Sequence, residues 1–198
     1  MIAALAPDWG CALPLGATHQ VRPRSHGQVI IARGRSRTSS HTGLSRWEYR
    51  DGCWHHVSAV PARNGARGWH PRPWDYSYYS PIGTYGLTDA GGRLRKPRGT
   101  RLPYDHSPAG FQGPPGAERV FDHVVAINFN RVPGRSPLDL RRPDPSIHDG
   151  GIWLHVSGRG ATRGCISVSR RQMRKTLKWL DPRQHPVIVM GPAEVLRR

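Results

Sequence analysis

The chain has 198 residues, 36% of them hydrophobic, with seven tryptophans and a formal net charge of +17. That length fits one domain with a substantial core, and no run of about 18 apolar residues exists that would predict a membrane-spanning helix. Glycine (23) and proline (19) make up about a fifth of the sequence, below the roughly 25–30% that marks low-complexity disorder, so a packed, turn-rich and mainly β domain is expected.

The charge would favour any polyanion as partner. Yet Lys96, Lys175 and Lys178 are the only lysines, and an arginine bias with abundant Ala, Gly and Pro is also what a GC-rich genome produces. The cations run along the whole chain instead of gathering in a tail or on one helix face, which argues against a nucleic-acid binder.

Residues 1–20 have no periodicity and carry Pro7, Gly10, Pro14 and Gly16, so they read as a loosely held leader before a domain over 21–198. Met1 to Ala6 is apolar, but no basic segment precedes it and Asp8 interrupts it; a complete signal peptide is not recognised. Gln28 to Ala32 suits a buried strand. Trp47 and Tyr49 alternate with polar neighbours up to Asp51-Gly52, and Cys53 to Val57 follows, which predicts a hairpin with a two-residue turn.

Residues 61–80 are rich in Pro, Gly and aromatics, a long loop that acts as a lid or covers a sheet edge. Ser80 to Thr88 looks like a turn into a strand, and another Gly/Pro-rich connection runs over 97–116. The clearest strand is Val120 to Asn128, apolar nearly throughout. After a polar loop comes Asp149 to Met173, with an apolar run (Ile152, Trp153, Leu154) into His155 and a Gly/Arg-rich loop to Cys165. Ser169 and Gln172 form a capping box for a helix whose Met173, Leu177 and Leu180 share a face, and Asp181-Pro182 ends it. Pro186 to Met190 is a last buried strand.

Eleven histidines invite a metal, but there is neither a C-x-x-C nor an H-E-x-x-H pattern, and His55 and His56 would face opposite sides of a strand. No phosphate-cradling loop is present either. Neither metal nor cofactor is therefore expected. Cys11 and Cys53 could pair in an oxidising compartment and leave Cys165 as the free thiol; in a reducing one all three would be free.

That makes His155 and Cys165 the leading chemical candidates, since an imidazole beside a thiol raises its thiolate fraction. Gly164 allows a tight approach of backbone to substrate, and the amides of Arg163, Gly164 and Cys165 could converge on one oxygen. The Arg163 cation would lower the thiol pKa, and Ser157 or a backbone carbonyl could orient His155.

These motifs resemble the YkuD-type L,D-transpeptidases. His155, a loop, then Thr162-Arg163-Gly164-Cys165 and a helix with Met173 is similar to that family's catalytic segment. Ser80-Pro81-Ile82-Gly83-Thr84-Tyr85 resembles its T-P-x-G-x-[FY] strand. Phe121 to Val125, Asn128 to Asn130, Gly150 to His155, and Trp179 to Pro182 resemble its actinobacterial branch, so the likeness covers about 28 to 192. Arg163 stands where many members have histidine, and the His-to-Cys interval is shorter than the commoner one. The resemblance implies a β-sandwich or barrel-like sheet with one helix after the cysteine. It also implies a secreted or wall-associated cysteine acyltransferase that cross-links peptidoglycan stem peptides or trims D-alanine from them. Cys165 would be its nucleophile and His155 its base, and carbapenems would acylate it. Anionic cell-wall polymers are a further candidate partner, nucleic acid is not expected, and oligomeric state is not fixed. The alternative is a non-catalytic wall- or polyanion-binding module on the same fold.

Overall fold

The computed structural model of the chain describes residues 11–198. Strand β1 (Gln28–Gly34) contains the run expected to be buried, and it is buried on both faces. Strict alternation sends Ile30 and Ala32 into one core cluster and Val29 and Ile31 into another. β2 (His41–Arg50) and β3 (Cys53–Arg63) form the expected hairpin. Asp51 and Gly52 both have positive φ, 52° and 81°, the conformation that a tight hairpin turn matched to strand twist requires.

Short strands follow: β4 (Trp69–His70), β5 (Ser80–Pro81), β6 (Gly83–Gly86), β7 (Ala90–Gly92), β8 (Tyr104–His106), β9 (Val124–Ala126), β10 (Trp153–Val156) and β11 (Ile166–Val168). Then come helix α1 (Arg170–Trp179), strand β12 (Val187–Pro192) and helix α2 (Ala193–Leu196). Ten strands make one sheet in the order β6-β12-β1-β2-β3-β11-β10-β9-β7-β8, curled into a half-barrel, while β4 and β5 pair separately. The mainly β fold class is as expected. The short α2, too brief to show a period, was not.

α1 starts where the capping box places it, with the Ser169 hydroxyl accepting from the Gln172 amide, a cap worth about 1 kcal/mol. Its buried Met173 and Leu177 join Leu154, Val156, Ile166 and Val168 in one cluster, so α1 covers that face of β10 and β11. His155 and Ser167, paired across the same two strands, therefore point to the other face.

Two expectations are corrected. The strand over Val120 to Asn128 shrinks to Val124–Ala126. Before it the chain turns, with Asp122 N–H donating to Arg119 O, and the buried Asp122 carboxylate takes Arg93 and Arg170. After it, Asn128 N–H leaves the ladder for Gly86 O. The loosely held leader is different too, although residues 1–10 lie outside the described residues. From Cys11 onward the chain is docked: Cys11 is disulfide-bonded to Cys53, and Gly16 N–H donates to Leu196 O at 2.8 Å. Leu13 is buried with Val29, Trp54 and Val189. This segment and α2 close the second face of β1 and β12, which is why both faces of those strands are apolar.

Candidate active site

The register of β10 and β11 builds the site. They run parallel, with Leu154 opposite Ile166 and His155 opposite Ser167. Cys165 stands immediately before β11, and the Trp153 amide donates to its Sγ at 3.3 Å. His155, on the face of β10 away from α1, and Cys165, just before β11, are thus brought to neighbouring positions, two residues apart along β10 through the Trp153 amide.

The His155 ring is buried, with Phe121 edge-on at 5.3 Å between ring centroids. Its Nδ1 donates to the Val156 carbonyl at 2.8 Å. That contact fixes the tautomer and leaves Nε2 as the free basic atom. Burial pushes the imidazole down to about 4, opposed by the Val156 and Val120 carbonyls, which favour the protonated ring. Cys165 is a free, half-buried thiol. Burial pushes it up to about 11 against the Trp153 amide, and the Asp149 carboxylate pushes the same way. Asp149 is itself raised, by burial first and then by Asp75. In the free protein both groups are neutral at pH 7, and no hydrogen bond joins Sγ to the imidazole among the described residues.

Of the other expected site residues, Gly164 is where the sequence needs a glycine. Its φ is 140°, and a Cβ there would come within 2.9 Å of the Tyr79 carbonyl. Its amide is not free for an oxyanion, however, because it donates to Thr162 Oγ1 at 3.1 Å. Arg163 is exposed and has no ion-pair partner among the described residues. It is also not among the causes of the thiol's shift, so its expected role in lowering that pKa is not supported. Ser157 does not orient His155: its hydroxyl pairs with Ser167 Oγ at 3.3 Å, and the backbone carbonyl of Val156 does the orienting. Ser157 instead lines a cleft of about 450 Å³ with Arg93, Arg119 and Arg159.

The hydrogen bonds that hold the loop were not read from sequence. Thr162 Oγ1 donates to Cys165 O at 2.6 Å, and Thr162 N–H donates to Asn64 O at 3.0 Å. Buried Ser80 donates its hydroxyl to Gly164 O at 2.6 Å and accepts the Gly65 amide at 2.9 Å. Asn64, wholly buried, ties this corner to Thr42 through a 2.6 Å bond. Asn130 Nδ2 contacts the carbonyls of Ile147 and Asp149, fixing the approach to β10. Ser80, Thr162 and Asn130 stood in sequence motifs, but those motifs did not give their hydrogen-bond targets. The aromatic loop touches the site: Tyr79 lies against Gly164, and Trp74, Tyr79 and His70 pack together.

Two solved structures have a similar fold. The helical cell shape determining protein Pgp2 from Campylobacter jejuni matches with a TM-score of 0.54 at 15% identity, over 88% of this chain and 50% of that one. Bd1075 from Bdellovibrio bacteriovorus matches with a TM-score of 0.50 at 16% identity, over 90% and 51%. The likeness is one of fold. The chain spans about half the length of these structures. No protein-family profile matches the chain, and no curated protein does.

Proposed function

We propose that the chain is a cysteine acyltransferase of the YkuD-type L,D-transpeptidase kind, exported and acting on peptidoglycan stem peptides. The observation that carries this reading is the free Cys165 thiol held against β10 by the Trp153 amide, two residues from His155, whose Nδ1 is committed to Val156 O and whose Nε2 is left as a base. A fold shared with a helical cell shape determining protein supports a cell-wall role. The Cys11–Cys53 disulfide supports an oxidising compartment outside the cytoplasm.

In the reaction, Nε2 of His155 takes the thiol proton as Sγ of Cys165 forms its bond to the carbonyl carbon of the stem's third residue. The C–N bond to the terminal D-alanine breaks, and the imidazolium returns its proton to the leaving amine. An amine of a second stem, or water, then attacks the thioester and the sulfur leaves. Because the resting pair is neutral, the proton moves when substrate is in place. Oxyanion donation calls for the Gly164 amide to leave Thr162 Oγ1 or for another amide to serve.

The test is intact-protein mass spectrometry after incubation with a carbapenem. The wild type gains one adduct mass on Cys165 and Cys165→Ala gains none; an adduct that persists in the variant removes Cys165 as nucleophile.

A further inference from the structure

Part of the positive charge, scattered in sequence, is gathered in space. α1 carries Arg170, Arg171, Arg174, Lys175 and Lys178. At about 100° per residue these cover roughly 140° of the helix, opposite the buried Met173, Thr176 and Leu177. The segment 93–101 adds Arg93, Arg95, Lys96, Arg98 and Arg101. It lies along the end of the same helix: Arg101 Nη2 donates to Trp179 O at 3.0 Å, and a Cβ at Gly99 would be 3.7 Å from Lys178 Cγ.

Few carboxylates answer this charge. Asp122 takes Arg93 and Arg170, and Asp181 takes Arg101 and Arg183. Arg95, Lys96, Arg98, Arg171, Arg174, Lys175 and Lys178 are exposed and have no ion pair among the described residues. Unpaired like charges this close repel one another and lower stability, so the face gains by meeting a polyanion.

We propose that this face is a docking surface for a linear, phosphate-bearing polymer of the cell envelope. Because α1 covers the side of β10 and β11 opposite His155, the polymer is an anchor and not the acyl substrate. Binding to single-stranded nucleic acid would require bases stacked on aromatic rings. The exposed aromatics Trp74, Tyr76 and Tyr78 belong to the loop at Gly164 and not to this tract. The choice of an envelope polymer rests on the cell-wall reading above; the charge geometry does not.

The test is co-sedimentation of the whole chain with Gram-positive cell walls, either retaining their phosphodiester polymer or stripped of it with hydrofluoric acid. The wild type should bind intact walls at least ten-fold better than stripped ones, with a steep fall as salt rises. The R95E/R171E/R174E/K178E variant should lose at least ten-fold on intact walls. A variant with Arg22, Arg24, Arg50 and Arg135 changed to Glu, of equal net charge, should stay within about three-fold of wild type. Equal binding to stripped walls, or an equal loss in the two variants, overturns the proposal. So does duplex DNA displacing the protein from walls at a lower phosphate concentration than soluble poly(glycerol phosphate). If the first variant misfolds, the comparison of walls with wild type still decides. Carbapenem adduct formation on Cys165, measured alongside, separates failure of this docking surface from failure of the acyltransferase reading.

Discussion

Burial sets the resting charge state of the His155–Cys165 pair, holding the imidazole near 4 and the thiol near 11. Such a pair does not react with every passing electrophile, because the thiolate is the nucleophile and it is scarce at neutral pH. The same burial has a stability consequence. His155 binds its proton at about 6.5 when unfolded and about 4 when folded. Between those values the unfolded state holds more protons, so stability is lost as pH falls from 6.5 towards 4. The loss should reach on the order of 3 kcal/mol. Denaturant unfolding at pH 7, 5.5 and 4 measures it: wild type should lose that much more than His155→Gln, whereas equal losses would mean the ring is not buried as a neutral base.

The loop that presents Cys165 depends on partners from distant elements. Ser80, the first residue of β5, bridges Gly164 O and the Gly65 amide, so Ser80→Ala leaves two buried backbone groups unsatisfied. It should cost roughly 1–3 kcal/mol and slow carbapenem acylation, because Gly164 loses its anchor; unchanged stability in urea melts would count against this bridge. Elements whose cause is local were legible in sequence: the Asp51-Gly52 hairpin, the Ser169–Gln172 cap, the two-faced apolar run of β1. His155 and Cys165 were legible as a candidate pair, and the structure places them near one another. Their partners were not, since Ser80, Asn64 and Thr162 act through hydrogen bonds between residues far apart in sequence. Arg163 illustrates the reverse error, because a cation two residues from the thiol in sequence points into solvent. The expected strand over Val120 to Asn128 failed because the buried Asp122 turns the chain to reach Arg93 and Arg170.

Across the whole molecule, the half-barrel is closed on its second face by the segment that begins at Cys11, and the disulfide to Cys53 spans 42 residues. By loop-closure entropy a bridge of that span contributes about 4 kcal/mol, so Cys53→Ser should lower unfolding free energy by about 2–4 kcal/mol. Thermal melts of wild type with and without reductant, beside the variant, test this; a melting point indifferent to reductant would contradict it. On the proposed reading the fold has two working faces, a nucleophile and base on one and a cationic tract along α1 on another. The charge that looked compositional along the chain becomes a surface only when 93–101 folds beside α1. The most direct check on the account is the product of the chain's reaction with a purified disaccharide-tetrapeptide muropeptide, followed by mass spectrometry. The account predicts a thioester on Cys165 with release of D-alanine, absent in Cys165→Ala and strongly reduced in His155→Gln. Release of D-alanine that persists in Cys165→Ala, or none at all from wild type, would contradict it.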